Sequence, residues 1–181
     1  IALSACLAGE VATHLRKNDY EGAREAAVKY RNIFGENNYF LEMQDHGIPD
    51  QATVNAGVMR LSKELGIPMV VTNDSHYIYA EDWEAHDVLL CIQTNRKVQD
   101  ENRMRYDGGQ YYLKSKEEMA ELFPYALEAL ENTHKIAERC NVKIVFGEQK
   151  VPRFDVPDGY TAEEYLEKLV YDGMERKYGI K

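Results

Sequence analysis

The chain has 181 residues, 44% of them hydrophobic and 29% charged, which suits one ordinary domain or a domain with an appendage and excludes intrinsic disorder. No apolar run approaches the roughly 20 residues that span a bilayer, and three cysteines without a signal peptide point to a reducing, cytoplasmic setting. A net charge of -9 argues against this stretch gripping nucleic acid by itself, because phosphate neutralisation needs Lys and Arg, yet it leaves room for a place inside a larger DNA-bound machine.

The elements follow in chain order. Residues 1–5 read as a strand, and a chain that opens on Ile1 in the middle of core sequence is expected to be a fragment. Gly9 to Lys17 is a short helix. Tyr20 to Phe34 is a longer one, with Ala23, Ala26, Ala27, Tyr30 and Phe34 on one face at helical spacing. Gly35 ends it and Asn37-Asn38 makes a loop. Tyr39 to Met43 is a second strand, and Gln44-Asp45-His46-Gly47 turns the chain. Pro49 starts a helix to Leu65, with Val54, Val58, Leu61 and Leu65 facing the core and Gly66 capping it. Pro68 to Thr72 is the third strand.

After residue 80 the pattern changes. Glu81 to Thr94 is a helix. Tyr106 to Gln110 looks like a hairpin turn between short extended pieces. Ser115-Lys116-Glu117-Glu118 is a capping box that opens a helix through Phe123, and Pro124 starts another to Cys140. Val151 to Gly159 reads as an extended linker. Thr161-Ala162-Glu163-Glu164 is a second capping box, opening a final helix to about Tyr178. Residues 1–80 are therefore expected to be α/β and residues 81–181 mostly helical.

Strands alternating with helices of this length imply a parallel sheet or barrel, in which chemistry gathers at the carboxyl ends of the strands. Three sets of residues fall there. Cys6 follows the first strand, Asp45 and His46 the second, and Asp74 and His76 the third. Val70-Val71-Thr72-Asn73-Asp74-Ser75-His76 is the most telling run, because an Asp-x-His pair at a strand end can aim two donors at one metal. Carboxylate and neutral imidazole suit zinc or manganese, and a thiolate favours zinc. The bland alternative has Asp74 capping a turn, His76 packing, and Cys6 behaving as a small hydrophobe. The shared rim position moves all three toward ligands.

The remaining candidates read as structural. His46 suits a loop residue bonding its own backbone, with a ligand or general acid as the sharper reading. Asp82 and His86 at i, i+4 suit a surface ion pair. His14 and His134 stand isolated on helices, and Cys91 and Cys140 suit core or cap positions. Arg103, Arg105, Tyr106, Tyr111 and Tyr112 form a small basic-aromatic cluster, either a solvated face or a nucleic-acid contact. The absence of a P-loop, a Gly-x-Gly-x-x-Gly run and a nucleophile elbow disfavours nucleotide-cofactor and acyl-transfer chemistry. If metals bind, phosphoester hydrolysis is the expected reaction class.

Several long strings resemble the alpha subunits of bacterial DNA polymerase III, of the DnaE type. They are Leu3-Ser4-Ala5-Cys6-Leu7-Ala8-Gly9-Glu10, residues 39–47, residues 72–77, residues 85–94 and residues 131–141. The resemblance implies that residues 1–80 are the C-terminal half of a PHP (polymerase and histidinol phosphatase) domain, a distorted (β/α)7 barrel with a multi-metal site. Residues 81–181 would then lead toward the polymerase palm. It implies metal positions at Cys6, Asp74 and His76, with the His-x-His pair and other ligands upstream and the palm downstream. Implied partners are DNA, deoxynucleotides and the other holoenzyme subunits, with magnesium for nucleotidyl transfer, and no membrane. The fragment alone is expected to bind metal weakly, to hydrolyse nothing measurable and to self-associate through open sheet edges. The PHP part of the parent is read as a 3'–5' exonuclease or a metal-free scaffold. A free-standing phosphoesterase acting on a small substrate is the runner-up.

Overall fold

The computed structural model describes residues 1–147, 152 and 154–179. They fall into two compact units, Ile1–Asn141 and Val142–Lys181.

The first unit is built on three short parallel strands, β1 (Ala2–Leu3), β2 (Tyr39–Met43) and β3 (Met69–Val71), in that spatial order. The helices α1 (Glu10–Arg16) and α2 (Tyr20–Phe34) connect β1 to β2, and α3 (Pro49–Leu65) connects β2 to β3. The class is α/β with parallel strands, as the alternation implies, and the sheet has three strands. Each boundary has a local cause. Asp19 caps α2 by accepting the Gly22 N–H at 3.0 Å. Pro49 opens α3, and Gly66 closes it in the left-handed conformation at φ 67°.

Leu41 and Met43 of β2 are fully buried against Ala23, Ala26 and Ala27 of α2 and Val54, Val58 and Leu61 of α3. These are the core faces that the helical spacing predicts, except that Phe34 is largely exposed and Leu65 only partly buried. Gly57 allows α1 to lie close on α3. A methyl group there would stand 2.6 Å from Leu15 Cδ2.

The helices α4 (Trp83–Thr94), α5 (Lys116–Leu122) and α6 (Leu127–Arg139) share this unit. Met119, Phe123, Ala126 and Ala129 enter the same apolar core as the strands. On the outer edge of β3, Asn132 of α6 donates to the Met69 carbonyl at 2.8 Å and so satisfies an edge acceptor. The Arg103 guanidinium holds Asp87 of α4 with two hydrogen bonds, one of them 2.6 Å long.

Two expectations need correction. Residues 106–110 do not turn a hairpin. Residues 107–109 make a tight turn in which Gly108 and Gly109 take positive φ, 87° and 61°, and Tyr112 instead bridges Tyr77 in parallel, far back in the chain. Pro124 does not start α6. Phe123 sits at φ -122° and ψ 52°, outside the helical region that a following proline disfavours, and a turn intervenes before Leu127.

The second unit contains α7 (Ala162–Tyr178). The Thr161 and Glu164 side chains cap each other's backbone N–H, as the sequence predicts, and none of its residues is buried. The linker expected over Val151 to Gly159 lies partly outside the described residues, since Val151 and Arg153 are not among them. Among the described residues, no helix is long and apolar enough to cross a membrane.

Candidate functional site at the strand ends

The loop after β2 is closed by its own side chains. Asp45 Oδ1 accepts the Gly47 N–H at 3.0 Å, an Asx turn. His46 does not bond its own loop in that way. Its ring is 4% exposed, stacked on Tyr111 with centroids 4.8 Å apart and planes 6° apart. Its Nε2 accepts the backbone N–H of Asp74 at 3.1 Å, and its Nδ1 lies 3.0 Å from Gln51 Nε2. Gln51 Oε1 in turn accepts the His46 N–H at 2.7 Å. Both ring nitrogens are thus engaged, and His46 ties the β2 loop to the β3 loop. Burial holds its pKa below the usual histidine range, with the nearby charge of Lys114 adding to the effect.

The loop after β3 is more open. His76 Nε2 lies 3.2 Å from Asp74 Oδ1, and their side chains are 30% and 50% exposed. Asn73 fixes the turn by donating to the Tyr112 carbonyl at 2.7 Å. The His76 backbone N–H donates to the Tyr111 carbonyl at 2.7 Å. The His76 ring packs on Tyr106 at 4.3 Å and near His86 at 5.4 Å. Burial and the neighbouring His76 hold the His86 pKa down. His86 therefore belongs to an aromatic cluster, and Asp82 accepts the Tyr79 N–H at 3.0 Å instead of pairing with it.

Cys6, after β1, is exposed. It borders a small recess with Glu42, Gln44 and Gln51. Glu42 is the rim residue that the sequence reading passed over. It lies between the buried Leu41 and Met43, so strand alternation turns its carboxylate to the opposite face. That carboxylate accepts from Thr72 Oγ1 and from Gln44 Nε2, and the Glu42 N–H donates to Ser4 Oγ at 2.8 Å. One acidic residue in an otherwise apolar strand was the available signal.

All five predicted rim residues stand at the carboxyl ends of the parallel strands. Asp74 and His76 are in contact with each other, and His46 braces their loop. Among the described residues, no group of three or more His, Cys, Asp or Glu side chains is close enough to hold a metal ion. Asp74 and His76 supply two donors, fewer than a metal centre needs. Of the basic-aromatic cluster, Arg103 is committed to Asp87 and Tyr111 is buried under His46, so those two serve the fold rather than a nucleic-acid surface.

A protein-family model described as the PHP domain matches residues 1–46. Over 181 residues, 99% of its length, the chain is 42% identical to DNA polymerase III subunit alpha of Treponema pallidum. It is also 42% identical to that of Borreliella burgdorferi over 98% of its length, and 36% identical to that of Thermus aquaticus over 98%. The chain spans about one sixth of the length of these curated relatives. A sheet of parallel strands whose first residues match the PHP model, on a chain that aligns from end to end with one stretch of those proteins, marks it as similar to a segment of the bacterial DNA polymerase III alpha subunits.

Proposed function

We propose that this chain is a segment of the alpha subunit of a bacterial replicative DNA polymerase, the enzyme that extends DNA from deoxynucleotides within a multi-subunit holoenzyme in the cytoplasm. Residues 1–80 are then the C-terminal half of its PHP domain, part of a (β/α)7 barrel, and residues 81–181 lead toward the palm. The observation that carries this reading is the 42% identity sustained over 99% of the chain, well past the residues matched by the PHP model. That reach also disfavours the free-standing phosphoesterase, whose need for residues 81–181 is unexplained. The direct test is primer extension by the longer polypeptide that carries this segment. Template-dependent incorporation with magnesium supports the reading, and its absence alongside hydrolysis of small phosphoesters favours the runner-up.

Within that polypeptide the PHP part acts as a metal-dependent phosphoesterase, in the 3'–5' exonuclease direction. Zinc or manganese suits the donors Cys6, Asp74 and His76, completed by residues from elsewhere in the longer protein. When bound, such a metal supplies an activated water and neutralises charge on a departing phosphate. The segment's own contribution is positional: His46 holds the Asp74 backbone, and Asn73 and Tyr111 hold the turn on which His76 stands. By itself the chain binds metal weakly and hydrolyses nothing measurable.

A scaffold is the second reading. It is favoured by the direct contact between Asp74 and His76 and by the lack of a third donor beside them among the described residues. The upstream sequence of the longer protein separates the two, since an intact His-x-His pair belongs to the nuclease.

A further inference from the structure

The regular ladders of the sheet stop short of the rim, β1 at Leu3 and β3 at Val71. One further backbone bond extends each, from the Ser4 N–H to the Phe40 carbonyl and from the Thr72 N–H to the Met43 carbonyl, both 3.0 Å. Side chains then take over, and both sets meet at Glu42 of the central strand. The next rung of a parallel ladder would place the Glu42 N–H on the Ser4 carbonyl, but Ser4 Oγ accepts it instead, at 2.8 Å. The chain leaves the sheet at Ala5, which takes φ 65° in the left-handed region. On the other side of β2 the Glu42 carboxylate accepts the Thr72 hydroxyl. Gln44 Nε2 spans the same pair, 3.1 Å from Thr72 Oγ1 and 3.3 Å from Glu42 Oε1, and Asn55 of α3 donates to the Gln44 carbonyl at 3.0 Å.

We infer that Glu42 is a positioning residue for the rim, setting the spacing between the β1 loop that carries Cys6 and the β3 loop that carries Asp74 and His76. The inference rests on the proposed donor role of those three residues. Ser4 stands two residues before Cys6 and Thr72 two residues before Asp74, so one line of bonds, Ser4–Glu42–Thr72, crosses the sheet just before both loops depart. β1 and β3 are not neighbours, and β2 is the strand they share. A metal centre tolerates little error in donor placement, so residues that orient its donors matter nearly as much as the donors. Glu42 holds Thr72 and Gln44 as an acceptor of neutral donors. An amide oxygen can accept the same bonds, so positioning requires that glutamine replace Glu42 and that alanine fail.

The test has two arms. In the isotopically labelled chain, Glu42→Ala should shift the amide resonances of Cys6, Asp74 and His76 together, and Glu42→Gln should leave all three near their original places. Thr72→Val, which removes the donor without opening a void, should also move the Cys6 amide on the far side of β2. In the longer polypeptide that carries this segment, titrated with cobalt(II) in place of zinc, Glu42→Ala should weaken binding about tenfold or more and reduce the near-ultraviolet thiolate-to-cobalt band, with Glu42→Gln within about twofold of the parent. Equal losses in the glutamine and alanine variants would make charge rather than the bond decisive and overturn the inference. So would a Cys6 amide unmoved by Thr72→Val, or a lower melting temperature in Glu42→Ala with cobalt affinity unchanged. A parent polypeptide that binds no cobalt would end the donor reading and leave the resonances to decide whether Glu42 sets the loop spacing.

Discussion

The loops after β2 and β3 each deliver a histidine to the same rim, and the two histidines do opposite work. His46 is buried, stacked and bonded through both ring nitrogens, so it has nothing left to offer a ligand. His76 is a third exposed and touches a carboxylate, so its chemistry is open to whatever reaches the rim. Two histidines delivered to one rim by neighbouring strands therefore need not share a role. Burial and the supply of local hydrogen bonds decide which residue is a strut and which is a candidate ligand.

Substitutions should separate the two loops. The largest effect is expected from Tyr111→Ala, which removes the ring between His46, Tyr106 and His76. Deleting a buried aromatic costs about 3–5 kcal/mol, measurable by urea unfolding. A loss under about 1 kcal/mol would show that the stack is incidental.

His46→Ala comes next, at about 2–3 kcal/mol, because it orphans the Asp74 N–H as well as leaving a void. His46→Asn should recover part of this. Equal instability in the two variants would mean that the hydrogen bonds contribute little.

Acid should act on the helices as well as on the β2 loop, where the buried His46 resists protonation. Glu10 of α1 is held below its ordinary 4.5 by Lys29 and Tyr30 of α2, and Glu64 of α3 by Tyr20 and Arg24 of α2. A carboxylate whose folded pKa is lowered contributes stability above its unfolded value and loses it as pH falls through the folded one. Thermal stability should therefore decline as pH drops below 4.5, and less steeply in Glu10→Gln. A flat profile would show that solvent screens these ties completely.

The smallest effect on folding belongs to His76→Ala, within about 0.5 kcal/mol, as for a partly exposed residue outside the main core. A loss comparable to that of His46→Ala would erase the distinction between the loops.

Much of the fold was legible because its signals are local. Helix caps at Ser115 and Thr161, terminal Gly66 and the apolar runs of β2 and β3 depend on residues within a few positions of each other. The candidate site was legible as a set of strand-end residues for the same reason. What escaped was long-range. His46 is bonded to a residue 28 positions away, Tyr77 is bridged to Tyr112, and Arg103 is buried against Asp87 across 16 positions. None of these pairings leaves a periodic trace. The hairpin reading of 106–110 failed on that account, since a glycine pair marks a turn without saying which strand the chain joins next.

The contrast between the loops is tested most directly in the longer polypeptide that carries this segment, by 3'–5' exonuclease and primer-extension assays on Asp74→Asn, His76→Ala and His46→Asn. The expected result is loss of nuclease with retained extension for the first two, and for His46→Asn a nuclease that falls only as far as its folding does. Nuclease activity untouched by Asp74→Asn and His76→Ala would contradict a chemical role for the β3 loop and leave the rim a scaffold.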